Sequence, residues 1–91
     1  MTRWNRFYKK QLDDQKLKGL VEAELAALRI GRKIAALREK EGLTQTKLAA
    51  KAGMPSSKIS AMENNPQNLE IATLLRIARA ANRKLRIDFS R

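Results

Sequence analysis

Between Thr44 and Asn64 the chain carries two short helical segments around a single glycine, and this stretch limits the possible folds more than any other. Gln45 to Ala52 places Leu48, Ala49 and Ala52 at the spacing of one buried helix side. Thr44 precedes it as an N-cap, with a hydroxyl able to accept from the free backbone amides of the first turn. Gly53 then supplies a residue that tolerates positive φ, and Pro55 biases Met54 away from helix. From about Ser56 to Glu63 the helical pattern resumes, with Ile59 and Met62 inward. Two such short helices hold a fixed angle only under three conditions. The crossing residue must be small (Ala49), the turn permissive (Gly53), and the second helix must bury its inner side (Ile59, Met62). All are met here. Asn64-Asn65-Pro66-Gln67-Asn68 is loop chemistry.

The flanks extend the helical reading. Leu20, Val21, Leu25, Leu28, Ile30, Ile34 and Leu37 read as helix to about Lys40, closed by Gly42. Farther upstream, Trp4, Phe7, Tyr8 and Leu12 fall at helical spacing among basic residues, and Gly19 is expected to interrupt or bend the helix beyond it. Downstream, a longer helix covers about Glu70 to Ala81, with Ile71, Leu74, Leu75, Ile77 and Ala78 as its apolar side and Asn82 as a left-handed cap. Leu85, Ile87 and Phe89 then alternate with Lys84, Arg86 and Asp88, the period of a strand. The expected fold class is mainly all-α: a helical extension over 1–27, a helical bundle over 28–82 and a short strand over 83–91.

Charge narrows the partners. Against 20 Lys and Arg stand 9 Asp and Glu, a net charge of +11, which favours polyanions, nucleic acid before an anionic membrane surface. Residues 1–10 hold Arg3, Arg6, Lys9 and Lys10 with no acid, whereas Asp13, Asp14, Glu22 and Glu24 make the next stretch slightly acidic. That acidic patch is either a second surface with its own partner or a solvated helix face. The chain has neither Cys nor His, so disulfides, zinc centres and the common nucleophile–base pairs cannot be built. No Gly-rich phosphate loop is present. Neither an enzyme nor a cofactor or metal is expected. No apolar run approaches the ~20 residues that cross a bilayer, and no apolar segment succeeds the basic N-terminus as in a secretory signal. A cytoplasmic protein without a membrane partner is the expectation.

The stretch Thr44-Gln45-x-x-Leu48-Ala49-x-x-Ala52-Gly53-Met54-Pro55-x-x-x-Ile59-Ser60-x-Met62-Glu63 resembles the Xre, or lambda-repressor-like, helix-turn-helix family. Ile30-Gly31-x-x-Ile34-x-x-Leu37-Arg38 resembles that family's first helix and Leu74-Leu75-x-Ile77-Ala78 its fourth, so the resemblance spans about residues 28–82. It implies a lambda-repressor-like bundle that sets the start of its second short helix into the major groove of double-stranded DNA. Carried over by position, Ser56, Ser57, Lys58 and Ala61 face base edges, with Ser60 nearby. Thr44, Gln45 and Asn64 approach phosphates, and Arg38 and Glu63 form a structural ion pair. Pro55 departs from the Ser or Thr common in the family, which shifts or blunts the first base-facing position. The surface is chemically modest: serines discriminate bases poorly, Lys58 can reach guanine acceptors and the Ala61 methyl can touch thymine. Part of the specificity then falls to DNA shape. Ser56 could equally serve as a plain N-cap.

A lone strand is not stable in water, so Leu85, Ile87 and Phe89 are expected to pair with the same strand of a second copy. Such a homodimer would present two reading helices to a pseudo-palindromic operator; the alternative is a tail packed on the fourth helix. The layout of extension, domain and short strand also resembles the Hig-type antitoxins of type II toxin–antitoxin pairs. That resemblance implies repression of the chain's own operon and a small RelE-like ribonuclease toxin as partner. A free-standing phage- or plasmid-type repressor is the other reading. Trp4, Phe7 and Tyr8 are the candidate partner-docking residues, with packing on the chain's own core as their alternative.

Overall fold

Four helices account for the chain in the computed structural model, which describes residues 3–90 and, of residues 3–5, 7 and 8, the backbone alone. They are α1 (Arg3–Lys40), α2 (Gln45–Ala52), α3 (Ser56–Asn64) and α4 (Ile71–Ala80). α1 has 38 residues; at about 1.5 Å each it is roughly 57 Å long and sets the 60 Å long dimension of the molecule. The interruption expected at Gly19 does not occur, and α1 continues through it. One glycine costs a helix only about 1 kcal/mol relative to alanine, and good helix formers surround it. Lys10, Asp14, Lys18 and Glu22 add opposite charges at successive i, i+4 spacing, which suits a solvated helix. Residues 9–26 are exposed throughout. The side chains of Trp4, Phe7 and Tyr8 lie outside the described residues.

The core sits under the C-terminal end of α1, where Ile34 meets Leu48, Ala49, Ile59, Met62 and Ile77. Leu48 and Ile59 are the largest fully buried side chains, each worth on the order of 1.5–3 kcal/mol of burial. α3 is held between α1 and α2, and α4 packs on α2. On α4 the buried side runs through Thr73, Ile77 and Ala78. That places Ile71 and Leu75, expected inward from periodicity, on the exposed side. No helix among the described residues is long and apolar enough to cross a membrane.

Three helices end alike. Gly42 (φ 68°), Gly53 (φ 69°) and Asn82 (φ 55°) turn the chain in the left-handed region after α1, α2 and α4. The next amide then reaches back five residues: Leu43 to the Arg38 carbonyl (3.0 Å), Met54 to Ala49 (3.0 Å), Arg83 to Ala78 (2.8 Å). This Schellman arrangement satisfies carbonyls that a helix end otherwise leaves open.

Residues 83–90 form no strand, contrary to the alternation of Leu85, Ile87 and Phe89. A strand exists by its ladder to a neighbour, and a single copy of this chain provides none. The segment instead borders α1 and α4, pinned at its start by Arg83 on Glu41 (2.6 Å). Leu85 is half-buried there, while Ile87 and Phe89 are exposed.

Candidate nucleic-acid interface

The pair α2–α3 is fixed from both ends of α2. At its start the Thr44 hydroxyl accepts from the Lys47 amide at 3.1 Å. At its end Arg76 of α4 donates to the carbonyls of Ala52 (3.1 Å) and Gly53 (2.5 Å), placing a cation where the helix dipole is negative. α3 begins after Pro55, whose φ of −66° and ψ of 146° make it the N-cap, with no side-chain capping bond. Ser56 is therefore the first helical residue, not the cap that its hydroxyl suggested. Proline takes that position because its fixed φ suits the entry to a helix.

Ile59, Met62 and Glu63 are the buried side of α3. Opposite them Ser57, Ala61 and Asn64, at i, i+4 and i+7, are exposed, with Ser56 and Lys58 exposed on the flanks. Lys58 borders a small recess shared with Asn68, Glu70 and Thr73. Ser60 is half-buried, and Asn64 donates to its carbonyl (3.0 Å) and its hydroxyl (3.3 Å). Lys47 and Lys51 are exposed on α2 and Lys40 at the end of α1, and neither α2 nor the outer row of α3 carries an acid.

Behind that face lies a charge cluster. Arg38 donates to both oxygens of Glu63, at 2.8 and 3.1 Å, and to the Leu43 carbonyl at 2.9 Å. Gln45 adds its amide to the same carboxylate at 3.2 Å. The Arg38 and Glu63 side chains are 14% and 4% exposed. The hydrogen bond to Glu63 pushes the Arg38 pKa above the ordinary arginine value; burial opposes this, and the charges of Glu63 and Glu39 reinforce it. The cluster joins the end of α1, the loop after it, the start of α2 and the end of α3. It also commits the Gln45 amide inward, beside the α2 start where a phosphate contact is the sequence expectation.

Sequence reasoning missed three parts of this site: the Gln45–Glu63 bond, the Arg76 clamp and the reason for Gly31. A Cβ at Gly31 would lie 2.6 Å from the Met62 carbonyl oxygen and 2.8 Å from that of Glu63, so α1 crosses α3 at backbone distance. A glycine inside a run of good helix formers was the available signal.

Two short helices locked through a left-handed turn, the second showing a polar, cation-flanked row to solvent, define a helix-turn-helix. Residues 34–87 match the family described as Helix-turn-helix, and the chain belongs to that Xre-like family. Among solved structures it is similar to the restriction-modification controller protein C.AhdI from Aeromonas hydrophila, at 25% identity and a TM-score of 0.63, covering 66% of this chain and 91% of that one. It is similar to the wild-type controller protein C.Esp1396I at 29% identity and a TM-score of 0.62, covering 64% and 75%. A chain of the HipA–HipB–O2–O3 complex matches at 26% identity and a TM-score of 0.63, covering 71% and 92%. No curated protein matches the chain.

Proposed function

We propose that the chain is a sequence-specific regulator of transcription that binds double-stranded DNA as a homodimer on a pseudo-palindromic operator and represses its own promoter. The observation that carries this reading is the outer row of α3, exposed over a buried inner side and held by the Arg38–Glu63 cluster. Similarity to HipB, solved as an O4 20mer complex, and to the two controller proteins supports it. Residues 28–82 are the reading domain, 1–27 a helical extension and 83–91 the dimerising segment. Ser56, Ser57, Lys58 and Ala61 contact base edges, with Ser60 behind them. Thr44 and Asn64 approach phosphates, as does the backbone at Gln45, whose side-chain amide is held by Glu63, and Arg38 with Glu63 is structural.

The test is footprinting and anisotropy on the DNA upstream of the gene. Specific binding should fall steeply with salt, as it does for proteins that displace counterions from phosphates. Lys58→Ala should weaken it by about 1–3 kcal/mol if Lys58 holds a base. An unchanged footprint in a Ser57→Ala, Lys58→Ala double variant overturns the assignment of α3.

A second observation favours an antitoxin role within that reading. The exposed half of α1 presents Leu12, Leu17, Leu20, Val21 and Leu25 to solvent, a surface the DNA-reading bundle does not use, and Trp4, Phe7 and Tyr8 precede it. A RelE-like ribonuclease toxin is the partner this surface would hold. Co-expression with the adjacent gene tests it: retention of a small ribonuclease in an inactive state is expected. A lone gene with no such neighbour leaves the free-standing repressor.

A further inference from the structure

The tail leaves its largest side chain in water and a groove open beside it. Phe89 is 99% exposed. The groove, of about 360 Å³, is lined by Ile30, Ile34 and Leu37 of α1, Leu74 and Ile77 of α4, and Leu85. Ile87 and Asp88 also line it, and Phe89, next in the chain, does not. The apolar surface does not stop at the groove. Ile71 (59% exposed) and Leu75 (39%) stand one helical turn from Leu74 and Ala78, carrying it onto the outer side of α4.

Taking about 200 Å² for a whole large apolar side chain, the uncovered parts of Ile30, Ile71, Leu75, Ile87 and Phe89 come to roughly 580 Å². A monomer seldom exposes more than a few hundred Å² in one patch. Two copies covering this surface reciprocally would bury about 1,200 Å², the lower end of a specific interface. Charge fits the same pairing. Lys33 and Lys84 line the groove beside Arg83 and Arg86, and Asp88, next to Phe89, is a carboxylate 74% exposed that holds Arg86 through one oxygen at 3.2 Å.

We propose that the groove between α1, α4 and the tail is the dimer interface, with Phe89 of each copy seated in the groove of the other and Asp88 brought to the lysines that line it. This rests on the homodimer reading above and gives it a surface. It differs from simple pairing of two tails as strands, because the knob and its hole lie on different parts of the chain.

Sedimentation of the full chain over a range of concentrations is the first measurement. Phe89→Ala should raise the dimer dissociation constant by about 30-fold or more, the size of a hot-spot truncation. Its melting should match the unsubstituted chain at concentrations where both are monomeric, since Phe89 is uncovered in its own copy. The chain has no cysteine, so cross-links can be placed freely. A mixture of Lys33→Cys chains with Asp88→Cys chains, Phe89 being kept in both, should give the mixed product with a short bis-maleimide. A strong Ile87→Cys homodisulfide without that product means tails paired as strands and overturns the seating of Phe89, as does a dimer indifferent to Phe89→Ala. A lower melting temperature of monomeric Phe89→Ala puts Phe89 on its own core and also overturns it. A chain monomeric at every concentration, still binding operator DNA, refutes the homodimer while leaving the DNA-reading helix in place.

Discussion

The two halves of α1 are one helix in two physical situations, and each contains a glycine. At Gly31 an added Cβ would meet two carbonyl oxygens of α3 below 3 Å; at Gly19 it would meet nothing within 4 Å. The half near Gly31 is helical because the bundle requires it: Ile34 is in the core and Arg38 is bound to Glu63. The half around Gly19 is helical from local preference alone, with residues 9–26 exposed on every side. The same residue type in the same helix thus marks a close crossing in one place and a tolerated cost in the other. Substitutions in the two halves should therefore differ in size and in sign.

The largest effect belongs to the anchored half. Arg38→Met leaves the Glu63 carboxylate, 4% exposed, with only the Gln45 amide for company. Stranding a shielded charge in this way costs about 3–5 kcal/mol, measurable as a shift in the urea midpoint. Charge reversal of an exposed arm residue such as Lys16 should change the midpoint hardly at all. Gly31→Ala comes next. The methyl collides with backbone rather than with the end of a flexible side chain, so α1 must move off α3. Overpacking of this kind costs about 1–3 kcal/mol. An unchanged midpoint would show that the crossing yields freely and would weaken the contrast between the halves.

Legibility in the sequence divides along the same line. The helix-turn-helix was legible because its requirements are local: Thr44 as cap, Gly53 at positive φ, and Ile59 and Met62 one turn apart. The left-handed residues Gly42 and Asn82 were legible for the same reason. Tertiary placement was not. Gly31 falls within the first-helix pattern Ile30-Gly31-x-x-Ile34 and Gly19 outside it, but nothing local shows that α3 crosses there at backbone distance. Nor does it show that α4 would turn Thr73 inward and Ile71 outward, or that Arg76 would cap α2. The alternation of Leu85, Ile87 and Phe89 was real, but a period of two describes which side a residue takes once a ladder exists. The single chain supplies no ladder.

In the free half the sign reverses. Gly19→Ala restricts the unfolded chain and adds a good helix former with no clash, so it should stabilise α1 by about 0.5–1 kcal/mol. The measurement is helical content by circular dichroism on heating, where the gain should appear in the early, non-cooperative loss of helix and leave the main transition in place. A gain spread into the main transition would mean that the arm and the bundle unfold as one unit.

The smallest expected effect is the sharpest test of the comparison. Removing residues 1–26 should leave the bundle within about 0.5 kcal/mol of the full chain, the range of surface changes away from packed features, or roughly 2–4 °C for a domain of this size. The reason is geometric: no side chain described between residues 9 and 26 is even half-buried, so the core loses nothing when they go. Operator binding should survive with its salt dependence intact, because the reading helix and its supporting cluster lie wholly after residue 37. The loss should fall on retention of a protein partner, if the arm exists to hold one. The alternatives leave different marks. A larger drop in melting temperature would put Trp4, Phe7 or Tyr8 against the bundle. A shallower salt dependence would make Arg3, Arg6, Lys9 and Lys10 a phosphate-gripping arm, each lost contact lowering the logarithmic slope by about 0.9. Unchanged stability and an unchanged slope together leave the exposed half of α1 with a role in protein contact alone.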